Sequence, residues 1–375
     1  EQLNLANNSI EVVEDDTFTQ LLNLKHLDIS HNELKKLSLT LPDFIQHFVV
    51  SSNHLKSWPL VNFPKTLTHV EVQDNKLTEL FSTKWFSNNL MMLNVSHNFI
   101  EFLPEVEYTE LTILDLSFNA FTVVPKNLGE IASKLDTLIL DHNPIERIDF
   151  EEPIYLRKLF MRNMPLLQEI SAAALRNVDG QDDCVEVVIS HCEKLSNIDR
   201  NAMRHLDLCF LDLSYNNLST IPESLTNWTL LTEGVDIQGN PFDCSCSEQW
   251  MLDVILQQLY LNESQQHLLY DLKCAGPEQF KDHRFVKYYR KIAAFCNPNS
   301  AMRMAPDEVE VSSFAQSFGD VHLSLTAGPG CIIIITLSVI CVILMIVVAF
   351  KWRREHIRRL ERKRRLHQYY EYEYE

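Results

Sequence analysis

The sequence predicts an elongated repeat solenoid built from short strands, and two observations support this fold class. The stretch Leu208–Leu218, LCFLDLSYNNL, alternates buried and exposed positions as a strand with one buried face does, and then reaches a turn residue. The same pattern recurs eleven times, with its turn residues 21 to 28 positions apart. Amphipathic helices are disfavoured, because the apolar period inside each copy is two and each copy is too short for two helices. The turn positions, called markers below, are Asn8, Asn32, Asn53, Asn75, Asn98, Asn119, Asn143, Met164, Cys192, Asn216 and Asn240.

The spacing inside each copy resembles a known family. Leu208, Leu211, Leu213, Asn216 and Leu218 fall at offsets 0, 3, 5, 8 and 10, which resembles the leucine-rich repeat L-x-x-L-x-L-x-x-N/C-x-L. The resemblance covers about residues 1–296 and implies an α/β solenoid with a curved parallel sheet on its concave face. We assign the repeats to residues 1–240. The marker asparagine can both donate and accept hydrogen bonds, so it can satisfy backbone groups in a buried bend.

Residues 241–296 differ from the repeats and resemble the cysteine-rich C-terminal cap of extracellular leucine-rich-repeat proteins. The motif is N-P-F-x-C-x-C, then a tryptophan, C-A-G-P and a final cysteine. The resemblance implies disulfides Cys244–Cys274 and Cys246–Cys296, whereas four cysteines by themselves leave three pairings open. A zinc site is disfavoured because C-x-C lacks a second close pair. An apolar helix is expected to cover the open end of the solenoid, through Trp250, Leu252, Val254, Ile255 and Leu256.

Three further cysteines lie in repeats nine and ten. Cys192 takes a marker position and Cys184 takes the first apolar position of the same repeat. Both are expected to point inward as buried thiols, which behave as small hydrophobes. A disulfide between them is the less favoured interpretation, and the state of Cys209 stays open.

The C-terminal part predicts a membrane anchor. Residues 297–330 read as a low-complexity stalk, and residues 331–350 carry no charge over 20 positions. A helix of that length spans about 30 Å, the thickness of the hydrocarbon layer. The basic residues that follow place the tail, residues 351–375, in the cytoplasm. We therefore expect a type I single-pass protein of the plasma membrane with its repeats outside. The tail tyrosines suit either a kinase substrate or a solvated acidic terminus.

Charge and modification signals agree with an extracellular body. The net charge is −18, with +4 in residues 351–375 and −22 in the rest. An acidic body argues against a nucleic-acid partner. The use of cysteine indicates an oxidising compartment. Potential N-glycosylation sequons occur at Asn7, Asn94, Asn217, Asn227 and Asn262.

The first residues already match a repeat. Leu3, Leu5, Asn8 and Ile10 fit the consensus, and a solenoid that ends on a bare repeat exposes its core. We therefore expect the natural chain to extend before Glu1.

No catalytic motif stands out, so an enzyme is disfavoured and no cofactor is predicted. Two functional hypotheses remain. The first is a receptor or adhesion protein that binds an extracellular or cell-surface protein, with a homodimer or heterodimer allowed. The second is a decoy, co-receptor or structural surface protein that binds without signalling. Deleting the tail discriminates between them, because only a signalling receptor needs it for output.

Apolar residues at exposed strand positions predict where the partner binds. In repeats six to ten the residues beside the middle leucine are unusually apolar: Ile113, Ile139, Phe160, Val188 and Phe210. We expect them to form one concave patch, with Phe160 and Phe210 as anchors. The predicted charged rim consists of Asp115, Asp141, Lys158, Arg162 and Asp212. A glycan on Asn94 would obstruct the other half of the face.

Histidines occupy one strand position in three consecutive repeats. Stacking of the repeats places His26, His47 and His69 side by side, because adjacent strands lie about 4.8 Å apart. Three solvated histidines are the favoured interpretation, and no metal site is assigned. A transition-metal site or a pH sensor is the alternative.

Overall fold

The computed structural model describes residues 1–80, 89–104, 110–126, 128–131, 134–180, 183–289, 291 and 294–296. Short strands dominate these ranges. The strands are β1 (Gln2–Asn4), β2 (His26–Asp28), β3 (His47–Val49), β4 (His69–Glu71), β5 (Met92–Asn94), β6 (Ile113–Asp115), β7 (Thr137–Ile139), β8 (Ile154–Tyr155), β9 (Lys158–Phe160), β10 (Glu169–Ile170), β11 (Val178–Asp179), β12 (Val185–Val188), β13 (Asn197–Ile198), β14 (Leu208–Asp212), β15 (Gly234–Asp236), β16 (Phe242–Asp243) and β17 (Cys274–Gly276).

The main sheet has one strand from each repeat, and all of its pairings are parallel. Its order is β1-β2-β3-β4-β5-β6-β7-β9-β12-β14-β15. Register is kept from repeat to repeat, so Leu27 pairs with Phe48 and Phe48 with Val70. These middle residues are buried while the residues on either side are half-exposed. The alternation follows from the period of two in the sequence, and the predicted parallel-sheet solenoid is confirmed.

A left-handed turn follows each strand of the main sheet. The residue just before each of the eleven markers has a positive φ, between 50° and 69°. Asn, Asp, His and Gly reach this conformation more readily than other residues. They occupy most of these positions, but a serine, a phenylalanine and a tyrosine also occur. The residues are Asn7, His31, Ser52, Asp74, His97, Phe118, His142, Asn163, His191, Tyr215 and Gly239.

The marker asparagines join each repeat to the one before it. Asn53 is representative and is only 3 % exposed. Its Nδ2 donates to the carbonyl oxygens of Val50 and Ser51 in its own turn and of Ile29 in the previous repeat, each at 3.1 Å. Its Oδ1 accepts from the Leu34 amide at 3.0 Å. Every polar group of the side chain is therefore used within the buried bend.

Repeats eight and nine interrupt this ladder because their markers are not asparagine. Met164 has no side-chain donor, while the Cys192 thiol partly replaces the amide. Cys192 Sγ accepts from the Met164 amide at 3.4 Å and donates to the Ser190 carbonyl oxygen at 3.4 Å. Cys192 is a free, fully buried thiol, as predicted. Burial raises the pKa of this thiol to about 12, so it stays protonated.

The prediction for Cys184 is wrong. Cys184 is exposed and forms a disulfide with Cys209, with the two Cα atoms 5.5 Å apart. Val185 takes the inward position instead and pairs with Leu208. The register then shifts, so Glu186 pairs with Phe210 and Cys209 is the extra residue of a bulge in β14. The disulfide thus joins repeats nine and ten where the strand pairing is irregular.

Helices are few and short in the described ranges. The α-helices are α1 (Leu128–Ile131) and α2 (Leu256–Leu261), and a π-helical turn spans Met251–Ile255. The 3-10 helices span Glu223–Leu225, Trp228–Leu230, Cys246–Glu248, Gln266–Tyr270 and Phe285–Tyr288. Outside the main sheet, β8 pairs with β11, β10 with β13 and β16 with β17, all in parallel.

A disulfide-bonded region closes the C-terminal end of the sheet. Disulfides join Cys244 to Cys274 and Cys246 to Cys296, the two pairs that the resemblance implies. The helical segment from Met251 to Leu261 buries Leu252, Ile255 and Leu256 beneath it. Trp250 packs against Trp228 of the last repeat, with ring centroids 5.0 Å apart. The apolar helix that the sequence predicts therefore covers the end of the repeat core.

The predicted stalk (297–330), membrane helix (331–350) and tail (351–375) lie outside the described residues. Among the residues that are described, no helix is long and apolar enough to cross a bilayer.

Candidate functional site

The open face of the sheet consists of two rows of side chains, one on each side of the buried middle residue. The first row has the residue before it, and in strands β2 to β15 reads His26, His47, His69, Met92, Ile113, Thr137, Lys158, Glu186, Phe210 and Gly234. The second row has the residue after it, and reads Asp28, Val49, Glu71, Asn94, Asp115, Ile139, Phe160, Val188, Asp212 and Asp236.

The five apolar residues predicted as one patch are divided between these rows. Ile139, Phe160 and Val188 are direct neighbours in the second row. Ile113 and Phe210 lie in the first row, where Thr137 and Glu186 are their direct neighbours on the strands between them. Val188 is only 6 % exposed, so it adds little contact area. The accessible apolar centre is therefore Ile139 and Phe160, with Ile113 and Phe210 diagonal to it.

Most of the predicted charged rim is neutralised internally. Arg162 pairs with Asp141 at 2.7 Å, and its backbone amide donates to the same carboxylate at 2.7 Å. The Arg162 guanidinium also lies 5.4 Å from the centroid of the Phe160 ring, a cation–π contact. Lys158 pairs with Glu186 at 3.0 Å. These contacts hold the arginine and the phenylalanine in fixed positions.

Of the two carboxylates on this part of the face, Asp141 is buried and Asp115 is half-buried. Burial raises the pKa of Asp115, although hydrogen bonds from Ser117 oppose the shift. Burial also raises the pKa of Asp141, opposed by the charge of Arg162. Removing Arg162 would leave Asp141, which is 5 % exposed, as a buried charge without its partner.

The C-terminal end of the face is covered by the disulfide-bonded region. The Gln265 side chain lies over Gly234, and its Oε1 accepts from the Val235 amide at 3.2 Å. Asp236 lies beside Gly234 and Asp212. Burial, followed by the nearby Asp212 charge, raises the pKa of Asp236 to about 6. Phe210, one strand away from Gly234, is therefore at the edge of the accessible face.

The histidine row forms as predicted, and its rings stack on one another. The ring centroids of His26 and His47 are 4.4 Å apart, and those of His47 and His69 are 4.2 Å apart. Ring nitrogens lie in the ring planes, so stacked rings cannot aim their lone pairs at one metal ion. In the described part of the chain no group of three His, Cys, Asp or Glu side chains is arranged to hold a metal.

Burial also keeps the middle histidine of the row neutral. Desolvation, with contributions from His69 and His26, lowers the pKa of His47 to about 4. Burial and the charge of His26 also lower the pKa of His69, whose Nδ1 is 2.9 Å from the Thr68 hydroxyl. At neutral pH the middle ring carries no charge.

A second set of stacked rings was not predicted. Its rings belong to the residues just before the markers, whose backbone has the left-handed conformation. His97 stacks on Phe118 and Phe118 on His142, with centroid distances of 3.9 and 3.8 Å. His191 stacks on Tyr215 at 4.7 Å. The sequence does contain a signal for this second stack, because an aromatic or imidazole side chain recurs one residue before the marker.

Three of the five sequons share a turn geometry. In each, the asparagine Oδ1 accepts from the backbone amide and the hydroxyl of the Ser or Thr two residues later. The three asparagines are Asn94, Asn227 and Asn262. Asn7 and Asn217 are exposed. Asn94 lies in the second row between Glu71 and Asp115, so a glycan there would project over the open face.

Comparisons with known proteins identify the repeat type. The family model "Leucine rich repeat" matches residues 1–56, and a second model of the same description matches residues 207–228. Bovine (Bos taurus) lumican is 28% identical over 245 residues, which cover 61% of this chain and 62% of lumican. Rat (Rattus norvegicus) osteomodulin is 27% identical over 159 residues, covering 40% of this chain and 37% of osteomodulin. The chain thus matches less than two thirds of either relative.

A solved structure is also similar to the chain. It is a complex of latrophilin 3, Unc5D and FLRT2, whose matched chain is 18% identical, with a TM-score of 0.42 over 74% of this chain and 90% of that chain.

Taken with the marker ladder, the parallel sheet and the disulfides Cys244–Cys274 and Cys246–Cys296, the family matches lead to one conclusion. The chain carries leucine-rich repeats that end in a disulfide-bonded C-terminal region.

Proposed function

We propose that this chain is a single-pass cell-surface receptor or adhesion protein that binds an extracellular protein through the concave face of repeats six to ten. The observation that carries the proposal is the half-buried aromatic ring of Phe160 on the open face, next to Ile139 on the neighbouring strand and against the Arg162 guanidinium. An aromatic side chain that is fixed before binding loses little conformational entropy when a partner covers it.

The surroundings of Phe160 fit a protein partner better than a small ligand. Ile113 and Phe210 extend the apolar area diagonally across β6 to β14, while Lys158, Glu186 and Asp212 lie around it. An apolar centre inside a polar border is typical of protein interfaces. Small-molecule sites are instead enclosed pockets, whereas this sheet face is broad and open.

The membrane part of the proposal rests on sequence. Residues 331–350 are uncharged and are followed by a basic segment, which together favour a type I orientation. Three structural disulfides and five sequons fit an extracellular location for the repeats. We propose N-glycosylation at Asn7, Asn94, Asn217, Asn227 and Asn262. A glycan on Asn94 would direct the partner toward the C-terminal half of the face.

The alternative function is a decoy, co-receptor or structural surface protein that binds without signalling, and an enzyme is disfavoured. Cells that display the full chain distinguish the two binding functions. Removal of residues 351–375 should abolish a ligand-dependent response if the chain signals. Ligand binding with unchanged biological output after this deletion would favour the decoy or structural function.

The binding surface is tested with displayed full-length variants and a panel of secreted and cell-surface proteins. Once a partner is found, Phe160→Ala and Phe210→Ala should each weaken its binding by about 2 kcal/mol, or roughly thirtyfold in Kd. Phe44→Ala is a matched control, because Phe44 is 59 % exposed and lies outside both rows. Normal surface display together with unchanged binding by both face variants would show that the partner binds elsewhere.

A further inference from the structure

We propose that the stacked row His26–His47–His69 is an acid-sensitive latch, which holds repeats two to four closed at neutral pH and lets them open in acid. The proposal concerns the N-terminal half of the sheet and does not depend on the identity of a partner. It starts from the observation that three consecutive strands place an imidazole at the same register position.

The packing of the rings makes protonation unfavourable in the closed state. All three rings are half-buried, and the middle ring is covered on both faces at centroid distances of 4.4 and 4.2 Å. Protons on two adjacent rings would place like charges at that separation. A proton on His47 would also have to enter a partly desolvated site. Opening of the strands removes both obstacles.

On these three strands, carboxylates accompany the two end histidines of the row but not the middle one. Asp28 and Glu71 lie two residues after His26 and His69 on the same strands, whereas β3 has Val49 at that position. Lys25 lies next to His26, and its amide donates to the Glu1 carbonyl oxygen at 2.9 Å. Thr68 lies beside His69, Met92 lies opposite His69 on β5, and Gln2 lies opposite His26 on β1. His47 therefore has no carboxylate on its own strand to stabilise a proton.

The direction of the pH effect follows from linkage. Burial lowers the pKa of His47 to about 4, whereas an unfolded imidazole has a pKa near 6.5. Between these values the open state binds more protons than the closed state, so acid favours opening. The stabilisation is fully present above about pH 6.5 and is lost as the pH falls toward 4. After allowance for the partial exposure of His47, the opening equilibrium of repeats two to four should still rise roughly tenfold at pH 5 relative to pH 7.4.

The second ring stack is an internal comparison. His97–Phe118–His142 has similar ring spacing, 3.9 and 3.8 Å, but a phenylalanine in the middle. Its two imidazoles are never adjacent. His47→Phe therefore gives the first stack the composition of the second. Conversely, Phe118→His creates three adjacent imidazoles in the second stack, at a left-handed position that histidine tolerates.

Hydrogen-exchange mass spectrometry of the purified full chain tests the latch at pH 7.4 and 5.0. Each variant is compared with wild type at the same pH, so the intrinsic chemistry of exchange cancels. Peptides within residues 24–72 should exchange roughly tenfold faster in wild type than in His47→Phe at pH 5.0, and equally at pH 7.4. Peptides around residue 118 should gain acid sensitivity in Phe118→His. His54→Phe, a change at an exposed histidine outside the row, should behave as wild type.

Two results would overturn the latch. One is equal exchange of wild type and His47→Phe in repeats two to four at pH 5.0. The other is a Phe118→His variant that is no more acid-sensitive than wild type, because adjacency of imidazoles would then not be the cause. Circular dichroism at pH 7.4 checks that each variant folds. If His47→Phe does not fold, His47→Gln replaces it with the same expected loss of acid sensitivity.

Discussion

The side-chain amide of Gln265 lies where a β-carbon on Gly234 would stand. A β-carbon on Gly234 would overlap Gln265 Nε2, and the glycine has a φ of +131°. The last strand of the sheet is therefore in contact with the C-terminal region along its backbone, through a position that only glycine fits.

This contact predicts that Gly234→Ala is destabilising. The variant must tolerate both the unfavourable φ and the displacement of Gln265, so the free energy of unfolding should fall by about 2 kcal/mol. Denaturant titration measures the change. Gln265→Ala separates the two causes, because it frees the space without altering φ. The double variant should recover only part of the loss, and a fully stable Gly234→Ala would show that the contact is absent.

The marker ladder predicts unequal effects for chemically identical substitutions. Asn53→Ala removes the acceptor of the Leu34 amide and three donated hydrogen bonds in a buried bend. It should lower the free energy of unfolding by about 3 kcal/mol, because buried groups are left unsatisfied. Asn8→Ala is the matched control, since Asn8 is exposed and its two bonds stay within its own turn. Equal losses in the two variants would contradict the ladder.

The Cys184–Cys209 disulfide predicts a distinctive thiol pattern. In the folded protein Cys192 should resist alkylation, because it is buried and burial raises the pKa of its thiol to about 12. After denaturation without reductant, mass spectrometry should find Cys192 labelled and the cysteines at 184, 209, 244, 246, 274 and 296 unlabelled.

Replacement of both Cys184 and Cys209 by serine should lower the free energy of unfolding by about 3.5 kcal/mol, the expected value for a loop of 25 residues. Alkylation of Cys184 in the unreduced wild-type protein would contradict the pairing.

The raised pKa of Asp236 predicts that replacement of its carboxylate stabilises the protein. Burial, aided by Asp212, raises the pKa of Asp236 to about 6 from a usual value of 3.8. The folded protein therefore binds this proton more tightly than the unfolded chain does, and the ionised group destabilises the fold above pH 6. Asp236→Asn should raise stability by about 1–2 kcal/mol at pH 7.5, after allowance for partial exposure. The gain should vanish below about pH 4.

Thermal unfolding of wild type and Asp236→Asn across this pH range measures the effect of Asp236. Asp271→Asn, at an exposed carboxylate, should leave the midpoint unchanged. A pH-independent difference between wild type and Asp236→Asn would refute the assigned titration.

The sequence was sufficient to predict the strands and their register, because a period of two with a regular marker allows one alignment of the repeats. His26, His47 and His69 are adjacent as predicted. In the irregular repeats the sequence does not determine which residue takes the inward position. Cys184 and Val185 both suit the inward position, and only the packing of Val185 against Leu208 determines which of them is buried.

The candidate patch was only partly predictable for a different reason. Residues on either side of the middle leucine both point outward, but the marker register already separates Phe160, which follows the leucine of its strand, from Phe210, which precedes the leucine of its own. Val188 is in line with Phe160 but is buried. The pairing of Arg162 with Asp141 likewise joins residues 21 positions apart. Such pairings depend on side-chain conformations, which the spacing of a repeat leaves undetermined.

The marker asparagines have a direction. Asn53 reaches back to Ile29 and Leu34, Asn75 to Val50 and Leu55, and Asn98 to Val72 and Leu77. Each unit therefore presents the same backbone groups to the marker asparagine of the unit that follows it, whatever its side chains are. Regular units can therefore replace one another in the array. Excision of one regular unit, residues 54–75, would bring Asn98 behind Asn53 with the same donors and acceptors available. An array joined in this way can change its length by whole units without redesign of its neighbours.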